Sequence, residues 1–426
     1  LSIRRQRQMC IRDREYLCNK KILVMAKDII KYIKNINRKP SVPRRLLEQF
    51  IAKGASTIPE LSKGIGVSLP TTTNALNELM GQGLVREIGK KADSAGRIPM
   101  VYDLEPTAGY FVGVNPEMDC LALAVSDFCG NLITEKQKVP YVYENTPESL
   151  AEMGKIINVF IDNLPIKREE ILEICVNVAE RVRSLEGRAY NMFTFLEEPL
   201  AEKLTELLEL PTCIENDSRS MTYGEFIKGC CKGKKDVIFV NICWGLGIGI
   251  IIDGKLYYGK SGYSGEFGHM TAYNNNIICH CGKIGCVETE VSGRALKRKL
   301  TENILAGKPS ILSDKVLKQK EELTLEDIMD AIAKEDVLSL ATLQHIADEL
   351  GKQLAGIINI FNPEMLVIGG EMSVTGDYLT LPVNMGIKKY SLNVMNEDSQ
   401  IVTSELKDQA GVIGACLIAR QKLLTI

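Results

Sequence analysis

The chain has few aromatic residues, few histidines and no long apolar segment. Of its 426 residues, 6% are aromatic, three are His and one is Trp. No apolar run reaches about 18 residues, so a membrane span is not expected, and no secretory signal is visible. With 45% hydrophobic and 25% charged residues, the composition excludes disordered, collagen-like and low-complexity proteins. We expect a globular protein of two or three domains, at about 150 residues per domain.

The cysteines indicate a reducing compartment. There are 13, an odd number, and Cys120, Cys175 and Cys243 stand singly in apolar, strand-like runs. Where thiols stay reduced, closely spaced cysteines more often bind metal than form disulfides. The sequence therefore predicts a cytoplasmic protein.

The charge is unevenly distributed along the chain. Residues 25–107 carry 13 Lys/Arg and 8 Asp/Glu, a net of +5, and residues 1–24 carry 7 and 2, again +5. Since the whole chain has a net charge of −2, residues 108–426 carry −12. A basic front on an acidic body predicts a polyanion-binding module joined to a separate body.

The first residues resemble a sequencing remnant. The chain begins with Leu, and residues 4–14, RRQRQMCIRDR, reverse-translate in one frame to a transposase sequencing adapter. We interpret residues 1–24 as an adapter artefact followed by a leader of undefined origin. On this interpretation the native start is Met25 or lies upstream. The alternative is a basic N-terminal arm that binds DNA.

Residues 25–107 have the pattern of a winged helix-turn-helix DNA-binding domain. Helices are predicted over 41–52 and 57–63, and after the turn at 64–67 Ser68 caps a third helix that ends near Gly81 and Gly83. Strand, basic loop and strand follow, as in a wing. A helical domain that binds another protein is the alternative.

Short polar side chains on one face of the third helix suit the major groove, and basic residues on the wing suit phosphates. The candidate DNA-binding residues are Ser68, Pro70, Thr73, Asn74, Asn77, Lys90, Lys91 and Arg97. A helix over residues 25–37 is a candidate dimerisation element.

Residues 108–426 contain a duplicated strand pattern. The first set is predicted at Tyr110–Val114, Cys120–Ser126, Leu132–Lys138 and Ile174–Val178. The second set is predicted at Asp236–Ile242, Ile248–Ile252, Lys255–Tyr258 and Met365–Ile368. Two such halves, each continued by helices, predict a two-lobed α/β body with a ligand cleft.

The segment 265–290 contains a metal-site motif. His269, Cys279, Cys281 and Cys286 form an H-x9-C-x-C-x4-C array. Three thiolates and one imidazole suit tetrahedral Zn²⁺ and fill all four positions, which favours a structural metal. His280 is a rival nitrogen ligand. The alternative is a set of free cysteines and a core histidine.

Polar residues around this motif suggest a ligand site. Glu266 and Glu288 flank the metal ligands, and Asn216 and Asp217 follow a short strand. Together they would suit a polyhydroxylated ligand such as a sugar, with a carboxylate placed to accept a hydroxyl proton. Taken singly, each of these residues could equally be a solvated surface charge or part of a helix cap.

The winged helix, the duplicated body, the Asn-Asp pair, GEFGH and CHCGKIGCVE resemble the ROK family over about residues 41–426. That family groups sugar-responsive repressors, open reading frames and sugar kinases. The resemblance implies an actin-like (RNase H-like), two-lobed ATPase-type body and structural zinc at the four ligands above. It also implies sugar contacts from Asn216, Asp217, Glu266, His269 and Glu288. Asp217 would be the catalytic base of a kinase, and His269 would use one ring nitrogen for metal and the other for the sugar site.

The chain departs from the kinase pattern in its phosphate-binding loops. Asn115, Pro116 and Glu117 replace an acid and two glycines, which removes an N–H and adds a repelling charge. Leu246 stands where a hydroxyl residue is usual, and Glu371 follows Gly369-Gly370. Ala179-Glu180 also replaces a Pro-Gly turn on the sugar side. These changes argue against ATP binding.

We therefore expect a regulator, most simply a repressor, of carbohydrate genes. It would bind operator DNA as a homodimer or homotetramer, respond to a sugar or sugar phosphate, hold structural Zn²⁺ and contact no membrane. One alternative is an ATP-dependent sugar kinase of the hexokinase or glucokinase type. Another is an interaction protein that docks to a second regulator or a transport component.

Overall fold

The computed structural model describes residues 28–90, 99–134 and 137–425. The chain divides into two compact units. The first holds the described residues up to Glu180, Ser184–Glu215 and the part from Ala415 onward; the second holds Arg181–Arg183 and Asn216–Gly414. Within these described ranges, no helix has the length and apolarity that a membrane span requires. The domain boundaries inferred from the sequence remain a prediction, and the interpretation of residues 1–24 lies outside the described residues.

The first unit begins with a winged helix-turn-helix. Its helices are α1 (28–37), α2 (Val42–Lys53), α3 (Ile58–Ile65) and α4 (Leu69–Gly81). Its strands β1 (Ser56–Thr57), β2 (Val85–Lys90) and β3 (Met100–Leu104) pair in the order β1-β3-β2. Ser41, Thr57 and Ser68 each cap a helix, because their hydroxyl oxygens accept from the backbone N–H three residues further on.

The helices of this domain pack by their predicted apolar faces. In α4, Thr72, Ala75, Leu76 and Leu79 are buried. The opposite face is left to solvent, and Gly83 ends the segment with a left-handed φ of 71°. The helix positions predicted from spacing and capping residues are therefore confirmed to within two residues.

A five-stranded sheet follows in the first unit, in the order β10-β7-β4-β5-β6. Its strands are β4 (Tyr110–Pro116), β5 (Cys120–Asp127), β6 (Gln137–Pro140), β7 (Ile171–Val178) and β10 (Thr212–Asn216). The short strands β8 (Val182–Arg183) and β9 (Arg188–Ala189) and the helices α5 (Pro147–Asp162) and α6 (Leu200–Leu208) lie between them in the chain.

The third strand differs from its prediction at Leu132–Lys138. Leu132 forms only an isolated bridge with Ser126, and the ladder with β5 resumes at the pair Leu123–Gln137. The side chain and backbone of Asp127 hold the turn to Asn131, so the chain first closes a tight loop and pairs again only later.

The second unit repeats the architecture. Its sheet has the order β13-β12-β11-β14-β15, formed by β11 (Val237–Ile242), β12 (Leu246–Ile252), β13 (Lys255–Leu256), β14 (Met365–Gly369) and β15 (Gln400–Thr403). In each unit the central strand pairs antiparallel with the next strand and parallel with a later one. The predicted duplication and α/β fold class are confirmed.

Helices cover the second sheet and complete its apolar core. They are α7 (Asp217–Lys228), α8 (Gly293–Leu305), α9 (Leu325–Ala333), α10 (Val337–Phe361), α11 (Asp377–Tyr390) and α12 (Asn393–Asp398). Val240 and Ile368 from the strands and Leu296, Leu350 and Val383 from the helices belong to one buried cluster. The last helix, α13 (Ala410–Thr425), contributes residues to both units.

Candidate metal centre and ligand site

The predicted metal ligands come from one folded loop of the second unit. His269 ends a 3₁₀ turn at Phe267–His269, and Cys286 precedes another at Val287–Thr289. Between them, the Cys279 N–H donates to the Lys283 carbonyl at 2.8 Å and closes a tight turn. Gly285 has a left-handed φ of 73°, and a Cβ there would collide with the Tyr273 carbonyl. The loop therefore brings all four ligands together.

The spacing of the ligand atoms fits a tetrahedral zinc ion. The Sγ atoms of Cys281 and Cys286 lie 3.7 Å apart, and Cys279 Sγ lies 3.6 Å from His269 Nδ1. Bond lengths of about 2.3 Å to sulfur and 2.0 Å to nitrogen place such atoms about 3.5–3.8 Å apart around one tetrahedral ion. All four ligand atoms lie within 4.8 Å of one another. The donor set thus has both the chemistry and the spacing for Zn²⁺.

The rival ligand His280 is engaged elsewhere. Its Nδ1 lies 3.7 Å from Cys279 Sγ but 2.8 Å from Glu288 Oε1. The Arg294 guanidinium lies 3.2 Å from the same carboxylate oxygen. His269, His280 and Glu288 form a second possible ligand group, but soft thiolates favour the cysteine-containing set for zinc.

Asn216 and Asp217 stand where β10 ends and α7 begins. Asn216 caps the helix, since its Oδ1 accepts from the Arg219 N–H at 3.1 Å. Asp217 Oδ1 accepts from the Ser218 N–H at 2.7 Å, and its Oδ2 accepts from Asn241 Nδ2 at 3.2 Å. Burial raises the pKa of Asp217, and these hydrogen bonds only partly offset the shift. A carboxylate of raised pKa at a helix N-terminus can accept a proton from a bound hydroxyl.

The remaining candidate ligand residues lie beside the metal loop. His269 Nε2 lies 3.7 Å from Glu266 Oε2, while Nδ1 faces Cys279. Burial raises the pKa of Glu266, and the carboxylates of Asp217 and Glu288 raise it further. The structure therefore brings Asp217, Glu266, His269 and Glu288 into one electrostatic environment within the second unit.

Three residues near this site were not among the residues predicted from the sequence. Arg219 Nη1 donates to the Gly262 carbonyl at 2.8 Å. The positive charge of Arg181 lowers the pKa of Glu266 and so offsets part of the increase that burial causes. Asn241 contacts Asp217 from β11, and the polar residue in the apolar run VIFVNI is the one clue that could have identified it.

The residues that depart from the kinase pattern in the phosphate-binding loops form hydrogen bonds and an ion pair within the protein. Leu246 is buried in the core of the second unit, and its N–H donates to Glu288 Oε2 at 3.1 Å. In the first unit, buried Asn115 accepts from Asn177 Nδ2 at 2.8 Å. Glu117 forms an ion pair of 3.2 Å with Lys138. Each of these groups therefore has a polar partner within its own unit.

The single tryptophan lies next to the site. Two cations stack on the Trp244 ring: Lys297 Nζ lies 5.5 Å and Arg294 Cζ 6.0 Å from its centroid. Arg294 also contacts Glu288, as described above. The side chain of Arg294 therefore links Trp244 to Glu288, one of the candidate sugar-binding residues.

The predicted DNA-binding residues of α4 lie mostly in solvent. Pro70, Asn74 and Asn77 are exposed. Thr71 is also exposed, although it was not among the predicted DNA-binding residues. The Ser68 hydroxyl is exposed but serves as the helix cap. Thr73 is half-buried, and its hydroxyl donates to the Leu69 carbonyl at 2.9 Å. On the wing, Lys90 is exposed, whereas Lys91 and Arg97 lie outside the described residues.

Comparisons with known proteins agree with this architecture. The chain is 28% identical over 371 residues to a xylose repressor of Caldicellulosiruptor bescii, covering 86% of this chain and 92% of the relative. The crystal structure of a ROK family transcriptional regulator, a homologue of the E. coli MLC protein, superposes with a TM-score of 0.75 at 27% identity and covers 90% of this chain and 96% of its own.

A kinase structure matches a smaller share of the chain. The ROK family glucokinase from Streptomyces griseus, solved with glucose and AMPPNP, superposes with a TM-score of 0.62 at 26% identity. All of that enzyme is covered, but only 74% of this chain. The sequence profile of the ROK family matches residues 97–422. The chain belongs to the ROK family.

Proposed function

We propose that this protein is a DNA-binding transcriptional regulator of carbohydrate genes, acting as a sugar-responsive repressor. One combination carries the proposal: a winged helix with an exposed polar face on α4 precedes a ROK body. Similarity to a xylose repressor extends over 86% of the chain. We include a cytoplasmic location in the proposal, which fits the free thiols among the described residues.

The DNA interface of the proposal is α4 and the wing. Asn74 and Asn77 can donate to and accept from base edges, and Pro70 offers apolar contact. Ser68 and Thr73 would act mainly by positioning the helix, since their hydroxyls already bond within it. Lys90, Lys91 and Arg97 would hold phosphates. A homodimer would present two winged helices to a pseudo-palindromic operator.

The proposed metal is a structural Zn²⁺, which would be held by His269, Cys279, Cys281 and Cys286. Burial raises the pKa of the Cys279 thiol to about 12, so this group keeps its proton unless a cation replaces it. A bound zinc would fix the loop and hold His269 in one orientation, with Nε2 available beside Glu266.

The proposed effector is a sugar or a sugar phosphate. Its hydroxyls would exchange hydrogen bonds with the five candidate sugar-binding residues, Asn216, Asp217, Glu266, His269 and Glu288. A sugar that binds one conformation better shifts the population toward it, and the winged helices would then lose operator spacing. We expect the sugar to weaken specific DNA binding by about 5- to 150-fold, the usual range of such coupling.

Fluorescence anisotropy with DNA flanking the protein's own gene tests the proposal. Salt is held fixed, competitor DNA is present, and D-xylose, D-glucose and N-acetylglucosamine are added in turn. Specific binding that one sugar weakens is the expected result. Absence of specific binding to every flanking fragment, or equal affinity with every sugar, would contradict it.

Asp217 favours a second candidate, an ATP-dependent sugar kinase. Its raised pKa suits a base that activates a sugar hydroxyl, and a glucokinase shares the body fold. The occupied N–H of Leu246 argues against phosphate binding. Sugar-dependent ADP release that Asp217→Asn abolishes would establish this activity, and none is expected.

A further inference from the structure

A partly buried lysine contacts the end of the strand that leads into the candidate ligand site. Lys422, near the end of α13, donates from Nζ to the Ile214 carbonyl at 2.8 Å and lies 3.6 Å from Glu215 Oε2. Glu215 is fully buried and immediately precedes Asn216 and Asp217. Asn216 and Asp217 therefore directly follow, in the chain, the two residues that Lys422 contacts.

The next residue of α13 contacts the helix that precedes the winged domain. Asn37, the last residue of α1, donates from Nδ2 to the Leu423 carbonyl at 2.9 Å. Carbonyls in the last turn of a helix lack intrahelical donors, so this side chain caps α13. The carbonyl of Asn37 accepts in turn from Arg44 of α2 at 3.3 Å. Helix α1 is thus joined at one end to both the body and the winged domain.

The same helix contacts α4. Tyr32 donates from its hydroxyl to Glu78 Oε1 at 2.7 Å. Glu78 lies one helical turn after Asn74, on the helix that carries the candidate base-reading residues. Ile29, Ile33 and Ile36 are buried on the apolar face of α1, so packing as well as these polar contacts holds the helix.

We propose that α1 transmits ligand binding to α4 through four polar contacts. These are the contacts of Lys422 with Ile214 and with Glu215, of Asn37 with Leu423, and of Tyr32 with Glu78. This inference rests on the proposed function. Hydrogen bonds and ion pairs are made or broken, so they can have two discrete arrangements, as coupling between sites requires. Among the described residues, the buried Oδ1 of Asn37 has no hydrogen-bond partner. Such a group costs stability, and a second arrangement could satisfy it.

Hydrogen exchange on the full chain without sugar or DNA provides the first test. Asn37→Ala should increase amide exchange about two- to tenfold in α1 and in α4, the size expected for one lost hydrogen bond. Tyr32→Phe should increase exchange in α4 and leave α13 unchanged. Tyr390→Phe on α11, where the ring is exposed, is the matched control. Unchanged exchange in α4 of the Asn37 variant would overturn the proposal.

The second measurement distinguishes coupling from simple packing. DNA affinity is measured with and without the sugar that acts on the wild type, and sugar affinity is measured by calorimetry. Asn37→Ala and Tyr32→Phe should keep both single affinities within about threefold but bring the sugar effect on DNA binding close to onefold. The two changes should be non-additive in a double-mutant cycle. An undiminished sugar effect in either variant would overturn the relay.

Failure of the two proposals can be told apart. If the wild type binds no operator or responds to no sugar, the proposed function fails, and the exchange test still decides whether the contacts couple α13 to α4. If the wild type responds and the variants respond equally, only the relay fails. Lys422→Met, which leaves Glu215 without its cation, is expected to unfold part of the chain and is therefore not the main test.

Discussion

His269 turns its two ring nitrogens toward different partners, with Nε2 3.7 Å from Glu266 Oε2 and Nδ1 3.6 Å from Cys279 Sγ. A metal bound through Nδ1 would therefore fix the orientation of a residue in the candidate sugar site. On the proposed function, metal content and sugar affinity would be linked, because the same imidazole would serve both.

Removal of one thiol should remove the zinc and weaken sugar binding. Cys286→Ser is expected to reduce zinc from about one ion per chain to near zero and to lower sugar affinity by about 10- to 100-fold, as for loss of metal-site support. Elemental analysis and calorimetry measure the two effects. Cys129→Ser, outside the loop, is the matched control. Wild-type protein with intact thiols and no zinc would contradict the metal assignment.

Asp217→Asn should abolish sugar binding without unfolding the chain. The amide cannot accept a hydroxyl proton, and it presents a donor where the carboxylate accepts from Asn241. We expect sugar affinity to fall by about 100-fold or more, since unpaired polar groups are costly. DNA affinity without sugar should be unchanged. Asp377→Asn, at the exposed start of α11, should have no effect, and unaltered sugar binding by the Asp217 variant would refute its role.

The same substitution should alter the pH dependence of stability. Burial raises the pKa of Asp217, so the native state keeps a proton that the unfolded chain has already lost. The free energy of unfolding of the wild type therefore falls as the pH rises from the usual Asp range through the raised pKa. Asp217→Asn removes this contribution, so its stability relative to wild type should increase with pH and then level off. Urea denaturation at a series of pH values measures this, and a constant difference would contradict it.

Substitutions in α4 and in the wing should impair DNA binding differently. Asn74→Ala should reduce discrimination between operator and random DNA by about 1–3 kcal/mol, the usual contribution of a base contact. Lys90→Ala should weaken binding to both and reduce the salt slope by about 1. Lys388→Ala, exposed on α11, serves as the charge control. Anisotropy titrations at several salt concentrations separate these effects, and identical behaviour of the two variants would argue against the assignment.

Local sequence patterns predicted the elements that are held by local interactions. The capping hydroxyls of Ser41 and Ser68 mark the starts of α2 and α4, and the candidate metal ligands lie within one short loop. Sequence spacing is sufficient there because the partners are close along the chain.

Long-range pairing explains what the sequence did not predict. Asn241 reaches Asp217 from another strand, and nothing in its own segment specifies that partner. The position of β6 depends on where the ladder with β5 resumes, which is a property of the sheet. The contact of Asn37 with Leu423 joins residues 386 positions apart.

The stacked cations on Trp244 have a practical consequence. Since the chain has one tryptophan, its emission comes from a single, known environment. Arg294 contacts both the indole ring and Glu288, so a sugar whose hydroxyl donates a hydrogen bond to Glu288 would change the field around the ring. On the proposed function, the emission of Trp244 would report site occupancy without a label and without knowledge of the natural sugar.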